Sequence, residues 1–161
     1  MLPNLDYERR LQALERFMRE IRGDRGASAV ATWTPAFAGD GTAGTFTYTN
    51  QQGAYILNGN NVIINGRVSI SAIAVNPTGN MQISLPLAAA SDAGNYGVIP
   101  FASSNLDFDA GYTFAIGQIQ PGNQFMDIVE CGDNVARAII QGSTFDNNVA
   151  VNILFSGMYR I

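Results

Sequence analysis

Two stretches of this chain carry an apolar residue at every second position, which is the period of a β-strand that buries one face. They are residues 45–49 (TFTYT) and 67–75 (RVSISAIAV). Clusters of turn-forming residues recur every 8 to 14 residues along the chain, as at 58–61 (NGNN). Short strands at this spacing predict a mainly β domain, an antiparallel β-sandwich of the jelly-roll type, over residues 27–161.

The same pattern sets the number and approximate bounds of the strands. We expect about ten of them, with turns between each pair, including a turn at 50–52. The predicted strands are 28–37, 44–49, 53–58, 62–75, 80–86, 95–102, 111–119, 124–131, 136–141 and 149–160.

The first part of the chain follows a helical period instead. Its apolar side chains are spaced 4, 3, 4 and 3 residues apart, which is a heptad seam. This predicts a helix over residues 4–22 whose seam joins copies of the chain, and a stalk and linker over residues 1–26. The alternative is a helix that packs on its own domain. The seam residues are Tyr7, Leu11, Leu14, Met18 and Ile21.

The charged residues argue against several classes of function. The chain has no His and no Lys, and residues 27–161 carry three Arg against eight acids, a net charge of 3 − 8 = −5. Such a surface repels phosphate backbones, so we expect no nucleic-acid partner. The single cysteine, Cys131, cannot form an internal disulfide, and without His a zinc site is disfavoured. We therefore expect no cofactor and no metal.

Targeting signals are not visible in the sequence. No apolar run approaches the roughly 18 residues of a membrane-spanning helix, and the N-terminus becomes charged too early for a secretory signal. We expect no membrane insertion, and synthesis in the cytoplasm of the cell that makes the protein.

A series of short motifs follows the predicted linker. In chain order they are Trp33-Thr34-Pro35, Gly44-Thr45-Phe46-Thr47-Tyr48, Gly53-Ala54-Tyr55, Gly59-Asn60, Ile83-Ser84-Leu85-Pro86 and Ser156-Gly157-Met158-Tyr159-Arg160.

These motifs, in this order over about residues 32–160, resemble the C-terminal jelly-roll heads of phage tail fibres and receptor-binding proteins. The resemblance implies a homotrimer that is located on the virion and attaches to a host receptor. A second virion protein is a further expected partner, which the N-terminal helix would bind. A head fibre, a baseplate appendage and a capsid decoration protein without receptor binding remain open as alternatives.

Host-surface polysaccharide is the expected receptor, because planar amide and carboxylate groups suit the vicinal hydroxyls of sugars. If the helix attaches the domain, counting alternate strands places five loops at the end far from it. The predicted glycan-binding residues in these loops are Asp40, Asn60, Asn61, Asp92, Gln120, Asn123, Phe145 as an aromatic platform, and Asp146. Turn formation alone also explains most of these residue types.

Two acidic groups allow competing interpretations. Asp107 and Asp109 would share one face of an extended segment, as a carboxylate pair for glycoside cleavage or for Ca²⁺ would. Asp127, Glu130 and Asp133 form the other group. We expect a non-enzymatic protein, with a glycan depolymerase as the less favoured alternative.

Overall fold

The computed structural model of the protein describes residues 12–16, 29–143, 145 and 150–161. Residues 12–16 are helical and exposed, in line with the centre of the predicted helix. The rest of that helix lies outside the described residues, as do the seam residues Tyr7, Leu11, Met18 and Ile21. The proposed boundary between residues 26 and 27 also lies outside them.

The prediction of an antiparallel β domain is confirmed, and the strands belong to one sheet. The strand order is β1-β3-β4-β10-β6-β7-β8-β5-β2, with β9 paired to β8. The strands are β1 (Ala31–Trp33), β2 (Phe37–Gly39), β3 (Thr45–Asn58), β4 (Asn61–Val75), β5 (Met81–Ser84), β6 (Gly97–Ser104), β7 (Tyr112–Ile119), β8 (Phe125–Gly132), β9 (Ala138–Ile139) and β10 (Asn152–Arg160).

Strand β6 joins the two halves of this sheet. Its second half, Phe101 to Ser104, pairs with β10, and its first half, Gly97 to Pro100, pairs with β7. The two layers expected of a sandwich are therefore the two halves of one curled sheet. Its inner face carries the core, which includes Ile64, Ile99, Ile128 and Ile153, all fully buried.

The connection between β1 and β2 shows how far the sheet curls. These strands lie at opposite ends of the strand order, yet only residues 34–36 separate them. Such a link spans at most about 14 Å, so the two edges must approach each other. Tyr48 of β3 joins them, since its hydroxyl accepts a hydrogen bond from the Phe37 N–H at 2.9 Å and donates one to the Phe37 carbonyl at 3.3 Å. Burial raises the pKa of Tyr48.

Two of the predicted strand bounds are wrong, for opposite reasons. The single strand expected over 28–37 is broken at the buried Pro35, which has no N–H to donate to a ladder. The turn expected at 50–52 is part of the continuous strand β3. Register shifts between Thr47 and Tyr48 and between Tyr48 and Asn50 show that β-bulges absorb the irregular sequence there. The two errors cancel in the strand count.

Glycines on the inner face make room for aromatic rings. A Cβ at Gly53 would collide with the Trp33 ring, and one at Gly66 would collide with the Phe155 ring. Gly53 and Gly66 are paired in the ladder, so the two rings lie side by side with centroids 6.1 Å apart. The two aromatic rings therefore occupy the space on the inner face that side chains at the two glycine positions would otherwise take.

The register defines two ends of the sheet. The end that contains the β3–β4 turn at residues 59–60 is called the hairpin end. The opposite end, where β3 begins and β4 ends, is called the far end. At about 3.3 Å per residue, β3 separates them by roughly 40 Å. Because β1 is antiparallel to β3, the chain enters the sheet from the hairpin end, and Ile161 returns there to donate its N–H to the Asn60 carbonyl at 2.8 Å.

Candidate functional site: a groove across the sheet

Most of the predicted glycan-binding residues lie at the hairpin end. Two loops meet there, because the Ala89 N–H donates to the Asn123 carbonyl and the Gly122 N–H to the Ala90 carbonyl, and the Ala90 N–H donates to the Arg160 carbonyl at the end of β10. The predicted residues at this end are Asn60, Asn61, Asp92, Gln120 and Asn123. They lie at the end where the chain enters the sheet, whereas the strand count placed them at the opposite end. The cause is the turn expected at 50–52, which reversed the sense of the strand count.

The remaining predicted residues are not with them. Asp40 lies at the far end, where its Oδ1 accepts the Asn80 N–H at 2.8 Å. The Phe145 ring is only 2% exposed and packs 5.3 Å from Phe37, so it is a core residue rather than an aromatic platform. Asp146 lies outside the described residues. The eight residues therefore do not form one surface.

The outer face of β1, β3, β4, β10 and β6 carries two adjoining depressions, of about 510 Å³ and 360 Å³. They meet at Asn65, which lines both. We call them together the transverse groove. Its outward-facing lining residues are Thr32, Thr34, Gln52, Ala54 and Asn65 on one side of β4, and Pro100, Ala102, Leu154 and Ser156 on the other.

The groove follows a row of small side chains across the strands. Asn65 is paired with Ala54 on β3 and with Ser156 on β10. Larger residues lie two positions away on β10: Met158, which pairs with Ile63, and Leu154, which pairs with Arg67. A shallow channel between two higher ridges is the consequence.

The groove offers free polar groups beside apolar surface. Asn65 and Gln52 are exposed, and their side chains have no hydrogen-bond partner in the described parts of the chain. Arg67 is held at the rim, where its Nε donates to Asn152 Oδ1 at 2.8 Å. Hydroxyl and amide groups next to Pro100 and Leu154 match the alternating polar and apolar faces of a sugar chain.

A second, acidic cleft of about 250 Å³ lies at the far end. The loop between β6 and β7 closes this end of the sheet, and its alternating residues point Phe108 against the core while Asp107 and Asp109 remain exposed. The predicted pair Asp107 and Asp109 thus lines the cleft together with one member of the other acidic group, Glu130 of β8. Asp127 and Asp133 do not line it.

Glu130 is the unusual member of this cleft. It is only 3% exposed and lies on the inner face of the sheet, with its Oε2 accepting the Asp109 N–H at 3.0 Å. Burial, and after it the neighbouring Asp109 carboxylate, raise the pKa of Glu130 above its ordinary value, although the Asp109 N–H opposes this. Glu130 therefore favours its protonated form more than an exposed glutamate does.

Glycosidases separate their two carboxyl groups by about 5–9.5 Å to admit the scissile bond or a water. In this cleft Glu130 is almost fully buried and its Oε2 accepts the Asp109 N–H, while the Asp107 and Asp109 residues are exposed. Among the described residues, no three His, Cys, Asp or Glu side chains are grouped so that they could hold a metal ion.

The sequence did not single out the residues of the groove. Thr32, Asn65 and Ser156 come from distant segments, and only the strand register brings them into one row. Their sole sequence signal is that each occupies an outward position of an alternating strand, as most surface residues of a sheet do.

Comparison with known proteins shows a likeness of fold. The crystal structure of the Dettilon tailspike protein (gp208) matches 83% of this chain with a TM-score of 0.60 and 19% sequence identity. The match covers 24% of that protein, so the chain spans about a quarter of its length. No family model and no curated protein sequence matches the chain. The described residues contain no helix long and apolar enough to cross a membrane.

Proposed function

We propose that this protein is a phage virion appendage that attaches to a host-surface polysaccharide, which it holds in the transverse groove. The observation that carries the proposal is the groove itself. It has free amide and hydroxyl groups beside apolar surface, on a fold shared with a tailspike protein. The jelly-roll heads of phage fibres, which the sequence motifs resemble, have the same role.

The proposed assembly is a homotrimer joined by the N-terminal helix, which also binds a second virion protein. The heptad positions and the resemblance to fibre heads support it. Shallow sugar sites are weak singly, and three copies on one particle would bind together with much higher apparent affinity.

The trimer is tested by sedimentation of the full chain. We expect about three times the 17.2 kDa mass of one chain. The double variant Leu14→Asp, Ile21→Asp should lower this mass toward that of one chain while the far-ultraviolet β spectrum is retained, because charges in the seam oppose helix association. A wild-type protein that sediments as a monomer would contradict the proposal.

Glycan binding is tested with the intact protein on an array of host polysaccharides, followed by titration of the best one. Gln52→Ala and Asn65→Ala should each weaken binding about tenfold, since each loses one or two hydrogen bonds worth roughly 1 kcal/mol. Neither change should shift the unfolding midpoint, because both side chains are exposed.

Variants of the loop residues at the hairpin end serve as controls for the groove variants. Asp92→Ala and Asn123→Ala should leave binding within twofold of wild type. If these variants lose binding and the groove variants do not, the polysaccharide binds to the loops. No binding to any polysaccharide of the array would refute the attachment role and leave a decoration protein as the function.

We propose further that the protein is not an enzyme. The burial of Glu130, whose Oε2 is occupied by the Asp109 N–H, supports this. The depolymerase alternative requires release of reducing ends from host polysaccharide, and loss of that release in Asp107→Asn or Asp109→Asn.

A further inference from the structure

The outer face of the other half of the sheet carries three glutamines around one buried carboxylate. Gln82 of β5 and Gln118 of β7 flank Asp127 of β8 in register, and Gln120 follows two positions beyond Gln118 on the same face. We call these four residues the glutamine row. Gln82, Gln118 and Asp127 lie on β5, β7 and β8, and Gln120 directly follows β7. None of these strands carries the transverse groove.

Asp127 fixes the orientation of two of the glutamines. It is 2% exposed, and its Oδ1 accepts from Gln82 Nε2 while its Oδ2 accepts from Gln120 Nε2, both at 2.7 Å. Because a carboxylate only accepts hydrogen bonds, each glutamine must turn its NH₂ group inward. The two amide oxygens are thereby available as fixed acceptors.

Gln118 completes the row but has no partner. Its side chain is only 9% exposed, and it makes no hydrogen bond within the part of the chain that the structure describes. Neither of its two amide atoms is fully sealed from solvent. Buried amides are nearly always hydrogen-bonded, so a held but unpaired amide at a surface suits an external donor and acceptor.

An aromatic ring lies beside the row. Phe125 is 39% exposed and faces outward like Asp127, two positions along β8. An exposed ring adjacent to ordered amides gives a sugar both of the contacts it needs, an apolar surface for its C–H face and paired donors and acceptors for its hydroxyls.

We propose that the glutamine row is a second sugar-binding site, specific for a neutral hexose with vicinal hydroxyl groups. Gln118 donates to one hydroxyl and accepts from its neighbour, while the amide oxygens of Gln82 and Gln120 accept from further hydroxyls. The Asp127 carboxylate beneath the row disfavours anionic sugars, because its charge repels theirs at short range. The site rests on the proposed function of glycan attachment, but not on the groove.

The test uses the full chain and saturation-transfer NMR with four probes, the methyl glycosides of glucose, galactose and mannose, and glucuronate as the anionic sugar. At least one neutral glycoside should bind, and glucuronate at least tenfold more weakly. Gln118→Met, which keeps the shape and removes the amide, should weaken the neutral sugar tenfold or more. Gln124→Met, an exposed glutamine in the neighbouring turn, is the matched control and should bind as wild type.

The outcomes separate the second site from the proposed function. Retained binding in Gln118→Met, or equal binding of glucuronate, overturns the site. If polysaccharide binds in a manner that depends on Asn65 and no glycoside binds, the glutamine row is not a sugar site and the proposed function stands. If neither polysaccharide nor glycoside binds, both the second site and the proposed function are refuted. Should Gln118→Met not fold, Gln118→Asn withdraws the amide by one methylene, and the same loss is expected.

Discussion

Replacing Phe155 with alanine should lower the free energy of unfolding by about 3–5 kcal/mol, the usual cost of removing a buried ring. The ring is 3% exposed and lies over the bare backbone of Gly66. It also contacts the rings of Trp33 and Phe101, with centroids 6.1 and 6.3 Å away. Its loss therefore empties the middle of the inner face, where the glycines have no side chains to collapse into the space.

Urea unfolding at a fixed protein concentration measures this effect, with Met158→Ala as the control. Met158 is on the same strand but 56% exposed, and we expect its substitution to cost about 0.5 kcal/mol or less. The reciprocal change, Gly66→Ala, should cost about 1–3 kcal/mol by overpacking against the ring. Equal losses in Phe155→Ala and Met158→Ala would show that the sheet does not curl around these rings.

Replacing Glu130 with glutamine should stabilise the protein at neutral and alkaline pH. The raised pKa of Glu130 means that folding favours its protonated form. Protonated Glu130 contributes its full stabilisation at a pH below the pKa that it has in the unfolded protein. This stabilisation is lost as the pH rises through the higher pKa that Glu130 has in the folded protein. Glutamine stays neutral and its oxygen can still accept the Asp109 N–H, so we expect Glu130→Gln to unfold at a higher midpoint than wild type at pH 8.

Measuring the unfolding midpoints of wild type and Glu130→Gln from pH 4 to pH 8 tests this prediction. The wild-type midpoint should fall relative to that of Glu130→Gln as the pH rises, and the two should converge near pH 4. Asp133→Asn, which removes an exposed carboxylate nearby, should leave the pH profile almost unchanged. Parallel profiles for wild type and Glu130→Gln would mean that Glu130 is solvated in the folded protein.

Alternation allowed the long strands to be predicted from sequence, and two local departures from it caused the errors. Strand β4 was found almost to the residue, because one face of it is buried along most of its length. The Asn-Gln-Gln-Gly segment at 50–53 has the composition of a turn, yet pairing of both flanking segments with β4 keeps it extended. Long-range pairing of this kind overrides local turn preference.

The candidate sites were less predictable than the fold. Asp107 and Asp109 were recognised from their spacing, but the partner that matters most to them, Glu130, comes from a strand 21 residues further along. The groove and the glutamine row exist only through register, which a single sequence does not specify. Among the predicted sugar-binding residues, Gln120 is held by the Asp127 carboxylate that also holds Gln82.

The short strands that end the sheet also limit what it can join. An exposed sheet edge presents unpaired N–H and C=O groups with which the backbone of another chain can pair, and such pairing leads to aggregation. Here β1 and β2, the two terminal strands, have three residues each. The part of β3 that β1 leaves uncovered is interrupted by bulges, which twist an edge away from straight pairing. Two copies brought side by side would therefore meet through side chains rather than polymerise through their backbones.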